Sequence, residues 1–402
     1  MRWLWMAVWL VTPLAVVAYA YLLYPLLLWI VARPRRPPPS AEPVEWPSVT
    51  IIIPAYNEAG AIAATLDAVL ALDYPADRRH VVVVSDASTD GTDDIVRGYA
   101  HRGVELVRLP VRSGKTVAEN AARHHLRSPF VVNTDASVRL DPRSLKPLVA
   151  AFQDPLVGVA SGRDVSVARH GADANPGESG YVSYEMWVRD LETRAGGIVG
   201  ASGCYYASRA ELHREIVPAA LSRDFAAPLI ARENGYRAVS VRDALCYVPR
   251  VAWLRAEYRR KVRTMARGLE TLFAKRHLMN PRRYGRFAWM LVSHKLARWL
   301  VPLAVAWGGV GSLALAVAWS PARWPLAILG LGFAACALLG WYAPAGWLPR
   351  PVALAAYLCW GLIAGLHAWT RAWRRDLNPI WEPTRRETVP PPAGDAVGSG
   401  GT

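Results

Sequence analysis

The chain has 402 residues, 52% of them hydrophobic, with 18 tryptophans and 47 Lys and Arg against 32 Asp and Glu, giving a net charge of +15. That length holds one large domain with further elements attached. The four cysteines, Cys204, Cys246, Cys336 and Cys359, show no CxxC spacing, so neither a disulfide framework nor a zinc site is expected.

Residues 3–31 carry no charge over 29 positions. A helix needs roughly 20 apolar residues to cross a bilayer, and the apolar core of a cleaved signal is only about 7–15. Arg33, Arg35 and Arg36 follow directly. Basic flanks stay on the cytoplasmic side, so the N-terminus is expected outside and the middle of the chain in the cytosol, in a multi-pass protein of the inner or plasma membrane. The organisation reads as a transmembrane helix (1–32), a basic, Pro-rich linker (33–47), a cytosolic domain (48–249), basic amphipathic interfacial helices (250–290), membrane or interfacial segments (291–373) and a tail (374–402).

Within 48–249, short apolar runs alternate with amphipathic stretches. Strands are expected at 49–53, 81–85, 104–109, 130–134 and 157–162, all rich in β-branched residues. A helix pattern runs through Ile62, Leu66, Val69, Leu70 and Leu72, and "DGTDDIVRGYA" and "KTVAENAARHHL" supply two more. The fold class is therefore α/β: an open, mostly parallel sheet with helices on both faces, binding ligands beyond the carboxyl ends of its strands. Asp86 and Asp135 stand at two such ends, each in the tripeptide "DAS".

Residues 250–286 hold twelve Arg or Lys against Glu257 and Glu270, with Leu254, Tyr258, Val262, Met265, Leu269 and Leu272 at helical spacing. A basic helix with an apolar face suits a cytoplasmic membrane surface. Apolar segments follow at 299–319, 324–343 and 352–370. One span before the domain and three after it would put the tail outside, although "RAWRRDLNPIWEPTRRE" carries five arginines. A last segment lying in the interface would remove that conflict.

"VTIIIPAYNEAGAIAATLDAVLALDYP", "VVVVSDASTDGT", "RSGKTVAENAA", "VVNTDAS" and "GASGCYYASR…SRDFAAPLIARENGY", in this order, resemble the inverting family 2 glycosyltransferases. The likeness is greatest to the membrane-integrated branch of cellulose, hyaluronan and chitin-oligosaccharide synthases. It covers about residues 48–280 and implies a GT-A fold, a nucleotide-sugar donor that is UDP-linked, and Mg²⁺ or Mn²⁺. The partners implied are the donor, a glycan or lipid acceptor and the bilayer, with no nucleic acid.

By that resemblance Pro54, Ala55, Tyr56, Glu58 and Asp86 contact the nucleoside, and Lys115 faces the diphosphate or a neighbouring acid. Asp86 also suits a helix N-cap or Asx turn, and Lys115 a solvated surface. Asp135 matches the first carboxylate of the family's metal motif, with Ser137 where the second is expected; hard cations choose carboxylate oxygen. Asp224 stands in the place of the general base, with Arg223 where the family often has a second acid; Asp224 as an N-cap is the alternative. Ser202 and Gly203 would line the donor sugar and acceptor. "RKVRT" (260–264) occupies the place of the QxxRW signature, with Arg260 for Gln, Arg263 retained and Thr264 for Trp; the resemblance implies Arg263 and Arg260 as diphosphate ligands, and the lost tryptophan departs from the processive members. "WEPTRR" (381–386) loosely resembles a gating loop, or holds Trp381 as an interfacial anchor. Glu185 and Glu192, seven apart on one helix face, are expected to form surface salt bridges rather than a hydrolytic carboxylate pair. The rival readings are transfer onto a polyprenyl phosphate, a nucleotide-sugar-binding scaffold, and a transporter.

Overall fold

The computed structural model describes residues 2–32, 43–167, 176–249, 254–343 and 347–375. Eight strands form one sheet: β1 (Val49–Ala55), β2 (Arg79–Ser85), β3 (Val104–Arg108), β4 (Phe130–Thr134), β5 (Arg139–Leu140), β6 (Val157–Val167), β7 (Tyr205–Arg209) and β8 (Arg237–Pro249). Their order is β3-β2-β1-β4-β7-β6-β8-β5. β1 pairs parallel with β2 and β4, β2 with β3, and β6 with β8; β7 runs antiparallel between β4 and β6, and β5 antiparallel to β8.

The apolar runs become central strands because both faces are covered. Ile51 and Ile53 of β1 pack on Ile62, Leu66 and Val69 of the helix Ile62–Leu70, while Ile52 faces Ala118 and Ala122 on the other side. Burying each isoleucine contributes about 1.5–3 kcal/mol. The five expected strands are all present. β5, β7 and β8 are additional. β7 is buried on both faces and so shows no alternation, and β8 carries the exposed pair Arg242 and Asp243 at its centre, where its register with β6 shifts.

Four helical segments are long and apolar enough to cross a membrane: Val8–Ala32, Arg286–Ala318, Ser320–Tyr342 and Arg350–Arg374. The first two run antiparallel. Trp9 stacks on Trp307 at 3.7 Å, Tyr19 Oη lies 2.7 Å from Ser293 Oγ, and Tyr24 meets Trp289 edge-on at 5.3 Å. Their inner ends enter the domain: Tyr24, Leu28, Phe287 and Met290 share one buried cluster with Val188, Leu191, Phe225 and Leu229.

The basic stretch forms the helix Leu254–Ala274. Helix Arg350–Arg374 lies along it from end to end. Leu254 and Ala356 meet at Gly340, Tyr258 packs on Trp360 at 5.2 Å, Met265 reaches Gly365, and Phe273 packs on Trp369 at 6.0 Å. Trp369 Nε1 then donates to Trp299 O at 2.7 Å, so this helix finishes beside a residue that touches the domain at Phe225.

Candidate active site

The site lies at the carboxyl ends of β1, β2 and β4, where the strand order turns back on itself. Pro54 and Ala55 are the last, buried residues of β1 rather than loop. Beyond them, Asn57 takes a left-handed conformation with φ 52°, and so does Ala87 with φ 58° in the loop after β2. The two loops are laced together. Ser88 Oγ accepts from Asn57 N–H (3.1 Å), Thr92 Oγ1 from Glu58 N–H (2.8 Å) and Asp90 Oδ2 from Ala59 N–H (3.0 Å), while Asn57 Oδ1 accepts from Thr89 N–H (2.8 Å). Most polar residues of "SDASTDGT" therefore shape the loop bearing Tyr56 and Glu58. Backbone strain of this kind concentrates at functional sites. The Arg112 guanidinium covers the Tyr56 ring at 3.9 Å, an aromatic and planar-cation surface of the sort a base stacks on.

Asp86 is 2% exposed. Its carboxylate accepts from the backbone N–H groups of Ser113 (2.6 Å) and Gly114 (2.8 Å), so it shapes the turn into the helix Lys115–Ala121. It does not cap the helix Thr92–Gly98, where Asp90 Oδ1 accepts from Thr92 N–H instead.

Lys115 joins the centre of the site. Its ammonium donates to Asp135 Oδ1 and to Gly203 O (3.0 Å), with side-chain exposures of 20% for Lys115 and 15% for Asp135. The solvated alternative for Lys115 thus falls away. Burial pushes its pKa down, but the charges of Asp135, Glu119 and Asp224 outweigh this and hold it above the usual lysine value. Glu119, one helical turn on, is pushed up by burial, partly offset by Lys115 and Arg223.

Asp224 occupies the first turn of the helix Arg223–Glu233, behind Ser222 at the N-cap, whose Oγ is hydrogen-bonded to Asp224 Oδ1. A Cβ placed on Gly203 would lie 2.9 Å from Asp224 Oδ2, so this glycine lets the loop and the carboxylate approach. Asp135, Lys115, Gly203 and Asp224 thus form one contiguous group. Arg223 does not lie beside it: its guanidinium turns away to His213 O (3.2 Å), Glu215 O (3.0 Å) and Asn120 Oδ1.

Ser202 is fully buried, and its Oγ donates to Asp164 Oδ1 while accepting from Cys204 and Tyr205 N–H. It shapes the loop from beneath. Arg260 forms a two-pronged pair with Glu257 on its own helix (2.7 and 2.9 Å), and Arg263 is half-buried one turn on. Arg267 of that helix, absent from the expected set, reaches the site. It donates to Thr116 Oγ1 (2.7 Å), Ala219 O (3.2 Å) and Leu221 O (2.5 Å), and Thr271 Oγ1 accepts from Ser222 N–H (2.9 Å). Its position four after Arg263, on the same helix face, was the available signal. The "WEPTRR" segment lies outside the described residues.

Glu185 and Glu192 form ion pairs, but buried ones. Glu192 accepts from Tyr24 Oη (2.7 Å) and bonds His294 Nδ1 (2.6 Å), and Glu185 pairs with His294 Nε2 (3.0 Å) and Arg298 (2.7 Å). They weld the membrane helices to the domain.

Among the described residues, no group of three or more His, Cys, Asp and Glu side chains converges as a metal cage. Asp135 keeps Oδ2 free of hydrogen bonds while Lys115 holds Oδ1. One carboxylate oxygen is a hard donor that fits a divalent cation arriving with a diphosphate, with the remaining ligands from phosphate and water.

Comparison with known proteins agrees with this geometry. The glycosyl transferase family 2 model matches residues 50–216. An N-acetylglucosaminyltransferase of Mesorhizobium japonicum is 37% identical over 162 residues, 39% of this chain and 37% of that protein. A β-monoglucosyldiacylglycerol synthase of Synechocystis is 30% identical over 135 residues, 32% of this chain and 28% of that protein. The chain thus spans well under half the length of these relatives. The solved structure of the mannosyltransferase PcManGT from Pyrobaculum calidifontis in complex with GDP-Man and Mn²⁺ is 28% identical and superposes with a TM-score of 0.69, over 91% of this chain and 99% of that one. Residues 50–216 therefore resemble a family 2 glycosyltransferase domain, and the fold is GT-A-like.

Proposed function

We propose that the protein transfers a sugar from a UDP-linked donor to a glycan or lipid-linked acceptor at the cytoplasmic membrane face, by a single inverting displacement. The observation that carries this reading is the contiguity of Asp135, Lys115, Gly203 and Asp224. Tyr56 and Arg112 offer the base its stacking surface, and Asp86 sets the turn beside it. Lys115 presents positive charge where the diphosphate departs, and Arg263, on the helix that carries Arg267, is a further phosphate ligand. A divalent cation at Asp135, when bound, neutralises charge on the leaving group. Asp224 accepts the acceptor hydroxyl proton, with its carboxylate oriented by Ser222.

The helix contacts support one membrane arrangement. Three segments cross: Val8–Ala32, Arg286–Ala318 and Ser320–Tyr342. Helix Arg350–Arg374 lies in the interface beside the basic helix, which keeps Arg371 and Arg374 on the domain's side, in accord with the positive-inside rule.

The test is release of nucleoside diphosphate from a panel of nucleotide sugars by the full chain in lipid, beside Asp224→Asn. The expected loss is about 10²–10⁴-fold in turnover with nucleotide binding retained. Wild-type turnover in Asp224→Asn would refute the assignment.

A further inference from the structure

Four basic side chains converge on the single carboxylate of Glu185. Arg298 Nη1 lies at 2.7 Å, His294 Nε2 at 3.0 Å, Arg189 Nε at 3.4 Å and Lys295 Nζ at 3.6 Å. Burial pushes the Glu185 carboxyl up, but His294, Lys295 and Arg298 outweigh it and hold the group well below the usual range. The other nearby acids are taken: Glu192 by Tyr24 and His294, and Asp190 by Arg242 (2.8 Å) and Arg163 (3.5 Å). Among the described residues, two guanidinium groups and the Lys295 amine therefore share one carboxylate.

The surplus is also visible atom by atom. Arg298 and Arg189 are 6% and 7% exposed, yet Nε and Nη2 of the first and Nε and Nη1 of the second make no hydrogen bond. Buried charge without a counter-charge is costly, and guanidinium groups with spare N–H pairs match the oxygen spacing of a phosphate. One of these cations approaches the 200–203 loop and the residue after Asp224. Lys295 Nζ lies 3.1 Å from where a Cβ on Gly200 would sit and 5.7 Å from the centre of the Phe225 ring, and Phe225 follows Asp224. The cations stand at the membrane edge, since Lys295 and Arg298 belong to the helix Arg286–Ala318, and the exposed rings of Tyr181 and Trp187 lie on the facing helix.

We propose that Arg189, Lys295 and Arg298 form a phosphate-binding subsite that holds the phosphate of a lipid-linked acceptor beside the Asp224 loop. This rests on the transferase reading above and names its acceptor class: an amphipathic lipid carrying a phosphate, approached from the bilayer. The phosphate fills the unpaired guanidinium positions and supplies the missing negative charge. Lys295, whose ion pair with Glu185 is the longest of the four at 3.6 Å, is the cation most available to it.

The test reads binding, not turnover. Radiolabelled polyprenyl phosphate is titrated onto the full chain in phosphatidylcholine nanodiscs, without nucleotide sugar, and UDP binding reports that the protein is folded. Lys295→Gln is expected to weaken polyprenyl phosphate binding about ten- to a hundredfold, as loss of a charge-assisted phosphate contact does. Glu185→Gln removes the competing carboxylate and is expected to tighten binding. Unchanged affinity in Lys295→Gln would overturn the proposal, as would weakening in both variants together, which marks a network that is only structural. Equal competition by a polyprenyl alcohol would remove the phosphate from the argument. Displacement by phosphatidylglycerol as efficient as by polyprenyl phosphate would make the ligand a bulk headgroup and overturn the acceptor assignment. Failure of sugar transfer leaves this readout standing, and turnover without phosphate binding would sink only the subsite.

Discussion

Replacing Gly203 with alanine probes the central group with a single methyl. The added carbon would sit 2.9 Å from Asp224 Oδ2, against an ordinary contact of 3.4 Å or more, a shortfall of 0.5 Å (3.4 minus 2.9). Gly203 has no left-handed φ, so the contact is the whole of the perturbation. Asp224 cannot simply rotate clear, because Ser222 Oγ holds its other oxygen. The carboxylate must shift by about half an ångström or give up that hydrogen bond. Since a 1 Å misplacement at a reacting group costs on the order of 10²-fold, half of that predicts about a tenfold fall in kcat, or roughly 1.4 kcal/mol. Steady-state release of nucleoside diphosphate would measure it, with nucleotide affinity and thermal unfolding followed in parallel. Removing the tether in Gly203→Ala/Ser222→Ala is expected to restore part of the loss. Wild-type kcat in Gly203→Ala would refute the reasoning, because Asp224 would then not depend on where this contact puts it.

Lys115→Met leaves Asp135 and the Gly203 carbonyl without their shared partner, and urea unfolding should show a loss of roughly 3–5 kcal/mol, as for other broken, largely buried ion pairs. A chelator is expected to abolish turnover and Mn²⁺ or Mg²⁺ to restore it, whereas Asp135→Ala should stay inactive with either metal. Because the Glu185 carboxyl is held well below its ordinary 4.5, its contribution to stability is present above that pH and is lost as pH falls beneath it. Thermal unfolding from pH 6 to 3 should therefore fall more steeply in the wild type than in Glu185→Gln. Arg267→Ala frees the 219–221 carbonyls, and faster amide exchange at 219–224 is expected without change in the sheet.

Much of this was legible in the chain because it depends on local pattern. Runs such as "VVVVS" are buried on both faces, and their order with the intervening helices dictated the parallel half of the sheet. Asp86, Lys115, Asp135 and Asp224 stand out by residue type at strand or helix ends, and three of these four meet in the structure. What stayed hidden depends on tertiary direction. Arg223 is adjacent to Asp224 in sequence, but the helix start aims its guanidinium the other way, whereas Arg267 arrives from 43 positions later (267 minus 224) on a helix whose face only the packing reveals. Likewise, the spacing of Glu185 and Glu192 announces a shared face without telling that Tyr24 and His294, 168 and 102 positions from Glu192, converge there.

The shared cluster at the inner ends of the first two membrane helices changes what counts as the catalytic domain. Excising residues 48–249 as a soluble fragment would strip Tyr24, Leu28, Phe287 and Met290 from Val188, Leu191, Phe225 and Leu229 and turn a closed interior into an open apolar wall. That wall includes the helix bearing Asp224, so the fragment's defect would fall on chemistry as much as on solubility. The smallest autonomous unit therefore includes the inner ends of Val8–Ala32 and Arg286–Ala318, and a detergent that loosens this helix pair acts on Asp224 at second hand.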